Sequence, residues 1–275
     1  MGSVLENSLF KKDYRQFLRI KEMAVQFNSS YNGRNIIQDD IFSILTNYAK
    51  RNQVALHVFR LAVDDEEFCA FTCVKKGRIF LYVNANLPLA KQIFAAAHEL
   101  YHIWCFISEY DESVLRKGSF LNAGVIDEEM KSQEDRDANA FAGLLLVSSD
   151  SLFEQMNIYG ISREHQSLED IIRLMAIFAV PYKAMVLRLY EEGYMSEKKA
   201  RAYLEMEQME VEKKLVLEED AWRWQRRTPE LAIVGGLDKL IEYNSSYEFL
   251  TDSREASDRK ILNEIMKKYR GGGEA

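Results

Sequence analysis

The feature that most constrains this chain is the stretch His98-Glu-Leu-Tyr-His102, which lies inside a segment of helical periodicity. Apolar residues recur at the spacing of one helix face from Leu89 to Trp104. Side chains four residues apart leave a helix on the same side, one turn from each other. We therefore expect both imidazoles to point in one direction from a largely buried helix.

Short runs rich in β-branched and aromatic residues precede this helix, at 54–62, 67–74 and 78–84. The residues 75–77 form a tight connection, which favours a hairpin of the last two runs. Helical periodicity covers the segments 7–28, 38–51, 128–146, 168–179 and 182–193, whereas 107–127 has the pattern of a loop or short elements. No β pattern occurs beyond about residue 195. The pattern predicts an α+β fold with a small antiparallel-type sheet and a helical C-terminal region.

Charge, hydropathy and cysteine content argue against several classes of protein. The formal net charge of −7 and the pI near 5.4 argue against an extended nucleic-acid surface, which needs a basic face. No run approaches the roughly 18 apolar residues of a membrane span. Three cysteines, Cys69, Cys73 and Cys105, cannot all pair with one another, and so few in 275 residues fit a reducing compartment. We expect a cytoplasmic protein without membrane association.

The two histidines have the spacing of a zinc site. Two imidazoles one turn apart can both reach one Zn²⁺ at about 2.0–2.1 Å. Glu99, next to the first of them, is placed to take a proton from a zinc-bound water and deliver it to a leaving amine. This motif on a helix is the signature of a metallopeptidase. The alternative is a pair of core histidines satisfied by hydrogen bonds, but only four histidines occur in the chain, so chance rarely produces the spacing.

A catalytic zinc site needs a third protein ligand and an open position. The acidic start of the predicted helix "SQEDRDANAFAGLLL" supplies two carboxylates, Glu134 and Asp135. Asp135 shares one helix face with Ala138, Asn139 and Ala142, whose small size permits close approach to the histidine helix. The competing interpretation is a solvated helix start whose acids favour the helix dipole.

Over roughly residues 35–195 the chain resembles the ImmA/IrrE-like zinc metallopeptidases. The resemblance rests on the pair of strands and on the motifs that follow it: "VNANLP", "AAHELYH", a later acidic residue, "AN-x-FA" and "LLLV". The resemblance implies a zincin-like, gluzincin-type fold with an active-site helix. It also implies an intracellular enzyme linked to cleavage of repressor proteins in mobile elements and stress responses. By position, His98 and His102 match the zinc ligands and Glu99 the general acid/base.

The resemblance also bears on the third ligand. The family usually has Glu three residues before the Ala of its Ala-Asn pair, and Asp135 holds that position here. Glu134 points about 100° away around an ideal helix. We therefore favour Asp135 as the third ligand, although its shorter side chain requires its helix to lie closer to the metal.

The remaining regions give three expectations. We divide the chain into an N-terminal helical segment 1–34, a metallopeptidase domain 35–195 and a charged helical extension 196–275. The helix pair 168–193 resembles the helix-turn-helix-like part of the family, with Lys183 and Arg188 as its exposed cations. We interpret it as a scaffold or protein-contact element, with DNA binding as the alternative. We interpret the tail 197–227, which contains Trp222 and Trp224, as a docking or oligomerisation surface; the alternative is a solvated helix that packs by one face.

Other candidates for chemistry are weaker. Four side chains could donate a hydrogen bond to a developing oxyanion, but each is more simply a packing residue: His57, Tyr82, Tyr101 and Tyr110. His165 lies in a predicted loop, which argues against a ligand role. Peptide deformylases also pair a cysteine with this motif, but their glycine-rich context is absent around Cys69.

The sequence therefore predicts a zinc-dependent protease that hydrolyses a peptide bond in a protein substrate, with a DNA-binding repressor as the substrate that the resemblance implies. The alternative is a catalytically idle regulator that contains the metal and acts by binding a partner protein or DNA. Binding of a partner through the C-terminal helices is compatible with both.

Overall fold

The computed structural model describes residues 4–31, 35–109, 119–122, 132–206, 208–217 and 219–270. It confirms the predicted α+β class. The α-helices are α1 Val4–Asn7, α2 Leu9–Lys12, α3 Tyr14–Tyr31, α4 Ile41–Arg51, α5 Leu89–Glu109, α6 Gln133–Leu146, α7 Ser149–Ile158, α8 Leu168–Phe178, α9 Tyr182–Glu191, α10 Glu197–Leu204, α11 Gln208–Leu217, α12 Glu219–Gln225, α13 Leu237–Ser246 and α14 Asp252–Arg270. Within these ranges, no helix combines the length and apolar character that crossing a membrane requires.

Five strands form one sheet in the order β4-β2-β3-β1-β5. They are β1 Ala55–Leu61, β2 Phe68–Lys75, β3 Arg78–Asn84, β4 Ser119–Asn122 and β5 Ile233–Val234. β2 and β3 form the predicted antiparallel hairpin, whose turn places Lys76 and Gly77 at φ 52° and 69°. Glycine tolerates such a positive φ without strain.

The prediction of an antiparallel-type sheet is wrong in one pairing. β1 and β3 run parallel, in the register Ala55↔Arg78 to Leu61↔Asn84, so the sheet is mixed. The tight hairpin places β2 on one edge of β3, which leaves only the other edge for β1. β5 then extends the sheet beyond β1 in antiparallel orientation; its two residues are too short to give a sequence period.

One face of the sheet packs against α5. Along β3, Ile79, Leu81 and Val83 are fully buried, while the alternating Phe80 and Tyr82 on the other face are half-buried. This period of two is what a strand with one face on the core requires. The sheet therefore provides an apolar surface against which the helix with both motif histidines packs.

α6 packs against α5 and also contacts α3. Ala138 and Ala142 are fully buried in α6, so the two helix backbones can approach closely. An aromatic group fills the space between the three helices, with the ring of Phe27 5.5 Å from Trp104 and 6.0 Å from Phe141. This packing fixes how α6 lies relative to α5.

The N-terminal segment is broken into three helices where we predicted one at 7–28. Asp13 has φ −149° and ψ 88°, which ends α2, and its side chain then accepts a hydrogen bond from Gln16 N at the start of α3. Leu5 near the N-terminus and Trp224 in α12 both belong to the same hydrophobic core as α5. The division at residues 34 and 195 stays a prediction.

Candidate metal centre

The histidines of the motif lie side by side in the middle of α5. Their side chains are 1% and 4% exposed, and the Nε2 atoms of His98 and His102 are 3.2 Å apart. Two ligands that bind zinc at about 2.05 Å with tetrahedral angles are about 3.3 Å apart. The spacing of the two nitrogen atoms therefore fits joint coordination of one ion.

Asp135, in the first turn of α6, completes the group. One ligand atom from each of His98, His102 and Asp135 lies within 4.8 Å of the others. Two imidazoles and one carboxylate are a donor set that zinc accepts in catalytic sites. Glu134, the competing candidate, is exposed and does not join this group.

The Asp135 carboxylate is held by the start of its own helix. Ser132 caps α6: its Oγ accepts from Asp135 N at 3.0 Å and donates to Asp135 Oδ2 at 2.8 Å. One carboxylate oxygen is thereby fixed and the other is available to a metal. The hydrogen bond from Ser132 therefore limits the rotation of the Asp135 side chain.

Asn139 fixes the orientation of the first histidine, a role that we did not predict. His98 Nδ1 lies 2.8 Å from Asn139 Oδ1, and a carbonyl oxygen can only accept, so Nδ1 carries the hydrogen. The Nε2 lone pair of His98 is therefore directed to the side where His102 and Asp135 lie. Hydrogen bonds of this kind orient metal-binding imidazoles in general. Asn139 follows Asp135 by four residues, so the shared helix face was the available signal.

Burial keeps both imidazoles neutral. Desolvation lowers the pKa of His98 to about 4, although the hydrogen bond to Asn139 opposes the shift. Desolvation and the neighbouring His98 lower the pKa of His102 to about 3, with Asp135 opposing. The neutral imidazole is the form that binds a metal, so no proton has to be displaced from the ring at pH 7.

Glu99, the predicted general acid/base, is fully buried next to His98 on α5. A second buried carboxylate, which we did not predict, belongs to Asp137. It accepts from Gln16 Nε2 at 2.7 Å, from Gln133 Nε2 at 2.8 Å and from Tyr101 Oη at 3.4 Å. Because Gln16 lies on α3, this carboxylate ties the N-terminal helices to the helix that carries Asp135.

None of the described oxyanion candidates has a free donor at the site. Tyr101 Oη donates to Asp137, and burial raises the pKa of the phenol far above its usual value. Tyr82 donates to Leu61 O at 3.2 Å, and the ring of His57 stacks on Phe80 with centroids 5.3 Å apart. Both lie on the sheet. Tyr110 is outside the described residues, and His165 is exposed and does not belong to the metal group.

Arg188 is not an exposed cation of α9, as we predicted, but a buried one. Its Nη1 and Nη2 each lie 2.7 Å from a carboxylate oxygen, of Glu191 and Glu192, and its Nε donates to Val147 O at 3.1 Å. The Arg188 guanidinium thus makes all of these contacts inside the protein, so it is not part of a DNA-binding surface. In the tail, Trp224 is buried and Trp222 is half-exposed, so only Trp222 is open to a partner; the contact role of the tail stays a prediction.

Comparison with known proteins agrees with the geometry. No curated protein matches the chain. A family model described as Peptidase_M78, the IrrE N-terminal-like domain, matches residues 49–190, which is more than half of the chain. The matched range contains His98, Glu99, His102 and Asp135. The chain therefore belongs to the Peptidase_M78 family, whose model describes the IrrE N-terminal-like domain.

Proposed function

We propose that this protein is a zinc-dependent peptidase that hydrolyses a peptide bond in a protein substrate. The observation that carries the proposal is the convergence of three ligand atoms, from His98, His102 and Asp135, within 4.8 Å of one another. Membership of a peptidase family supports the reaction class. Zinc is the metal that best suits two imidazoles, one carboxylate and one open position.

Each residue has a distinct role in the proposed reaction. Zinc, when bound, activates water and polarises the scissile carbonyl. His98, His102 and Asp135 hold the ion, and Asn139 keeps the Nε2 of His98 directed to it. Glu99 accepts the proton of the attacking water and donates it to the leaving amine.

The substrate class and location are part of the proposal. The resemblance to ImmA/IrrE-like enzymes suggests a protein substrate of the DNA-binding repressor kind. The three cysteines are free in the structure, which supports a reducing compartment such as the cytoplasm.

Zinc content per chain, by elemental analysis, is the first test. We expect about one zinc in the wild type and in Glu99→Gln, because Glu99 is not a proposed ligand. Asp135→Ala should lose the metal. Glu134→Ala, its matched neighbour, should keep it because that carboxylate is exposed and outside the group. Absence of zinc from the reconstituted wild type would reject the metal site.

The second test concerns catalysis. New protein N-termini are compared between cells that produce the wild type and cells that produce Glu99→Gln. We expect cleavage products only with the wild type, because the variant retains the metal but cannot move the proton. Equal cleavage by both forms would refute the role of Glu99.

A regulator that acts by binding is the second candidate. It is favoured by a group of exposed aromatic rings in the C-terminal helices, outside the matched family range. Binding of a partner that is unchanged in Glu99→Gln, without cleavage by either form, would support this candidate.

A further inference from the structure

The C-terminal hairpin, which we define as residues 237–270, exposes three aromatic rings in mutual contact. Tyr243, Tyr247 and Phe249 are 54%, 59% and 67% exposed. The ring of Tyr247 lies 4.6 Å from that of Tyr243 and 5.9 Å from that of Phe249. We call these three residues the aromatic cluster. Aromatic residues in such patches commonly mark an interaction surface.

The exposure of the aromatic cluster is fixed by the hairpin itself. Phe249 N donates to Asn244 O at 2.8 Å, and Ser245 Oγ donates to Glu255 Oε2 at 2.6 Å across the two helices. Ile241 is buried between them. The rings therefore stay outside in the folded hairpin, and covering them requires another surface.

The charge of the hairpin is divided along its length. Residues 237–258, which include the aromatic cluster, carry six carboxylates and two cations. Residues 259–270 carry five cations and one carboxylate. Among the described residues, no ion pair involves Glu248 or Asp252 at the acidic end or Lys267 and Lys268 at the basic end.

The basic end cannot cover the aromatic cluster of its own chain. Asp252 and Lys267 are fifteen positions apart on helix α14, which separates them by about 22 Å at 1.5 Å per residue. A second copy of the chain, by contrast, carries a complementary basic end at the same distance from its own aromatic cluster.

We propose that the C-terminal hairpin is a self-association surface on which two copies lie antiparallel about a two-fold axis. The aromatic cluster of each copy receives Lys267 and Lys268 of the other. The lysine stems cover the rings, their ammonium groups make cation–π contacts, and Glu248 and Asp252 pair with them. A two-fold arrangement uses each contact twice, as an isologous interface requires.

Charge exchange between two variants tests this arrangement in the full-length chain. One variant carries Lys267→Glu and Lys268→Glu, and the other carries Glu248→Lys and Asp252→Lys. Each alone should associate at least tenfold more weakly than the wild type, because like charges then face each other. An equal mixture should regain association through the pairs formed between unlike chains.

Sedimentation velocity over about 1 to 100 μM measures the association. The matched control, Lys198→Glu with Lys213→Glu, makes the same change in net charge at exposed positions of α10 and α11 and should associate like the wild type. Tyr247→Ser with Phe249→Ser should abolish association without loss of helical circular dichroism, because both rings are exposed.

Two results would overturn the proposal. One is a wild type that stays monomeric over the whole range, and the other is an association that both charge variants retain unchanged. Glu99→Gln should associate like the wild type, so this outcome is independent of whether the protein is a peptidase.

Discussion

Acidification of the metal-free protein tests the burial of the two motif histidines. The pKa of His98 is about 4 and that of His102 about 3 in the folded state, against an ordinary value of 6.5. Between pH 6.5 and these lower pKa values, the unfolded chain binds protons that the folded chain does not. The stability that the neutral imidazoles contribute is therefore fully present above pH 6.5 and is lost as the pH falls towards their pKa values in the folded state.

The size of the effect follows from the shifts. One unit of pKa corresponds to about 1.4 kcal/mol, so at pH 5 each imidazole costs about 2 kcal/mol relative to pH 7. The two groups are adjacent and their protonation is coupled, which makes about 4 kcal/mol an upper bound for the pair. Because a domain is stable by about 5–15 kcal/mol in total, the loss is large enough to measure.

Urea denaturation in the presence of a chelator, at pH 7 and at pH 5, measures the loss. We expect the wild type to lose about 2–4 kcal/mol and the double variant His98→Gln, His102→Gln to lose clearly less. His165→Gln, at an exposed position, is the matched control for removal of an imidazole. An equal loss in the wild type and the double variant would refute the assignment of acid sensitivity to these residues.

Two further substitutions test the residue that orients His98 and the buried ion pairs of Arg188. Asn139→Ala should weaken zinc binding about 10- to 100-fold, because His98 loses the acceptor that orients it; competition with a chelator measures this, and wild-type affinity would contradict it. Arg188→Ala should lower the free energy of unfolding by about 3–5 kcal/mol, since the buried Glu191 loses its cation, whereas Glu192 keeps its pair with Lys21. Arg201→Ala, which removes an arginine from solvent-exposed pairs, should cost far less in the same denaturation assay, because water and salt screen such pairs; equal costs would contradict the reasoning.

The local patterns of the sequence predicted the elements well. The strands at 55–61, 68–75 and 78–84 and the helix that begins at Leu89 differ by a residue or less from the expected bounds. Period and turn residues determine such elements locally. The parallel pairing of β1 with β3 depends instead on which edge of β3 is vacant after the hairpin forms, and no local pattern encodes that choice.

In the site, too, local features could be predicted from the sequence and contacts between distant segments could not. The spacing of His98 and His102 fixes their shared direction, since a helix has only one geometry. The hydrogen bond from His98 to Asn139, 41 positions later, depends on how α5 and α6 pack. Arg188 was misjudged because a cation followed by two glutamates has the pattern of a solvated helix face, whereas the fold buries it beside Gly143.

The pairing of β5 with β1 has a consequence for synthesis of the protein. β5 pairs with Phe59 and Arg60, so about 170 residues must be translated after β1 before this part of its edge is covered. At about 5–20 residues per second, the ribosome leaves β1 exposed for roughly 10 to 30 s. An uncovered strand edge is a template for intermolecular pairing during that time. We therefore expect loss of β5 to reduce the yield of folded protein, because that part of β1 then stays open to pairing with other chains.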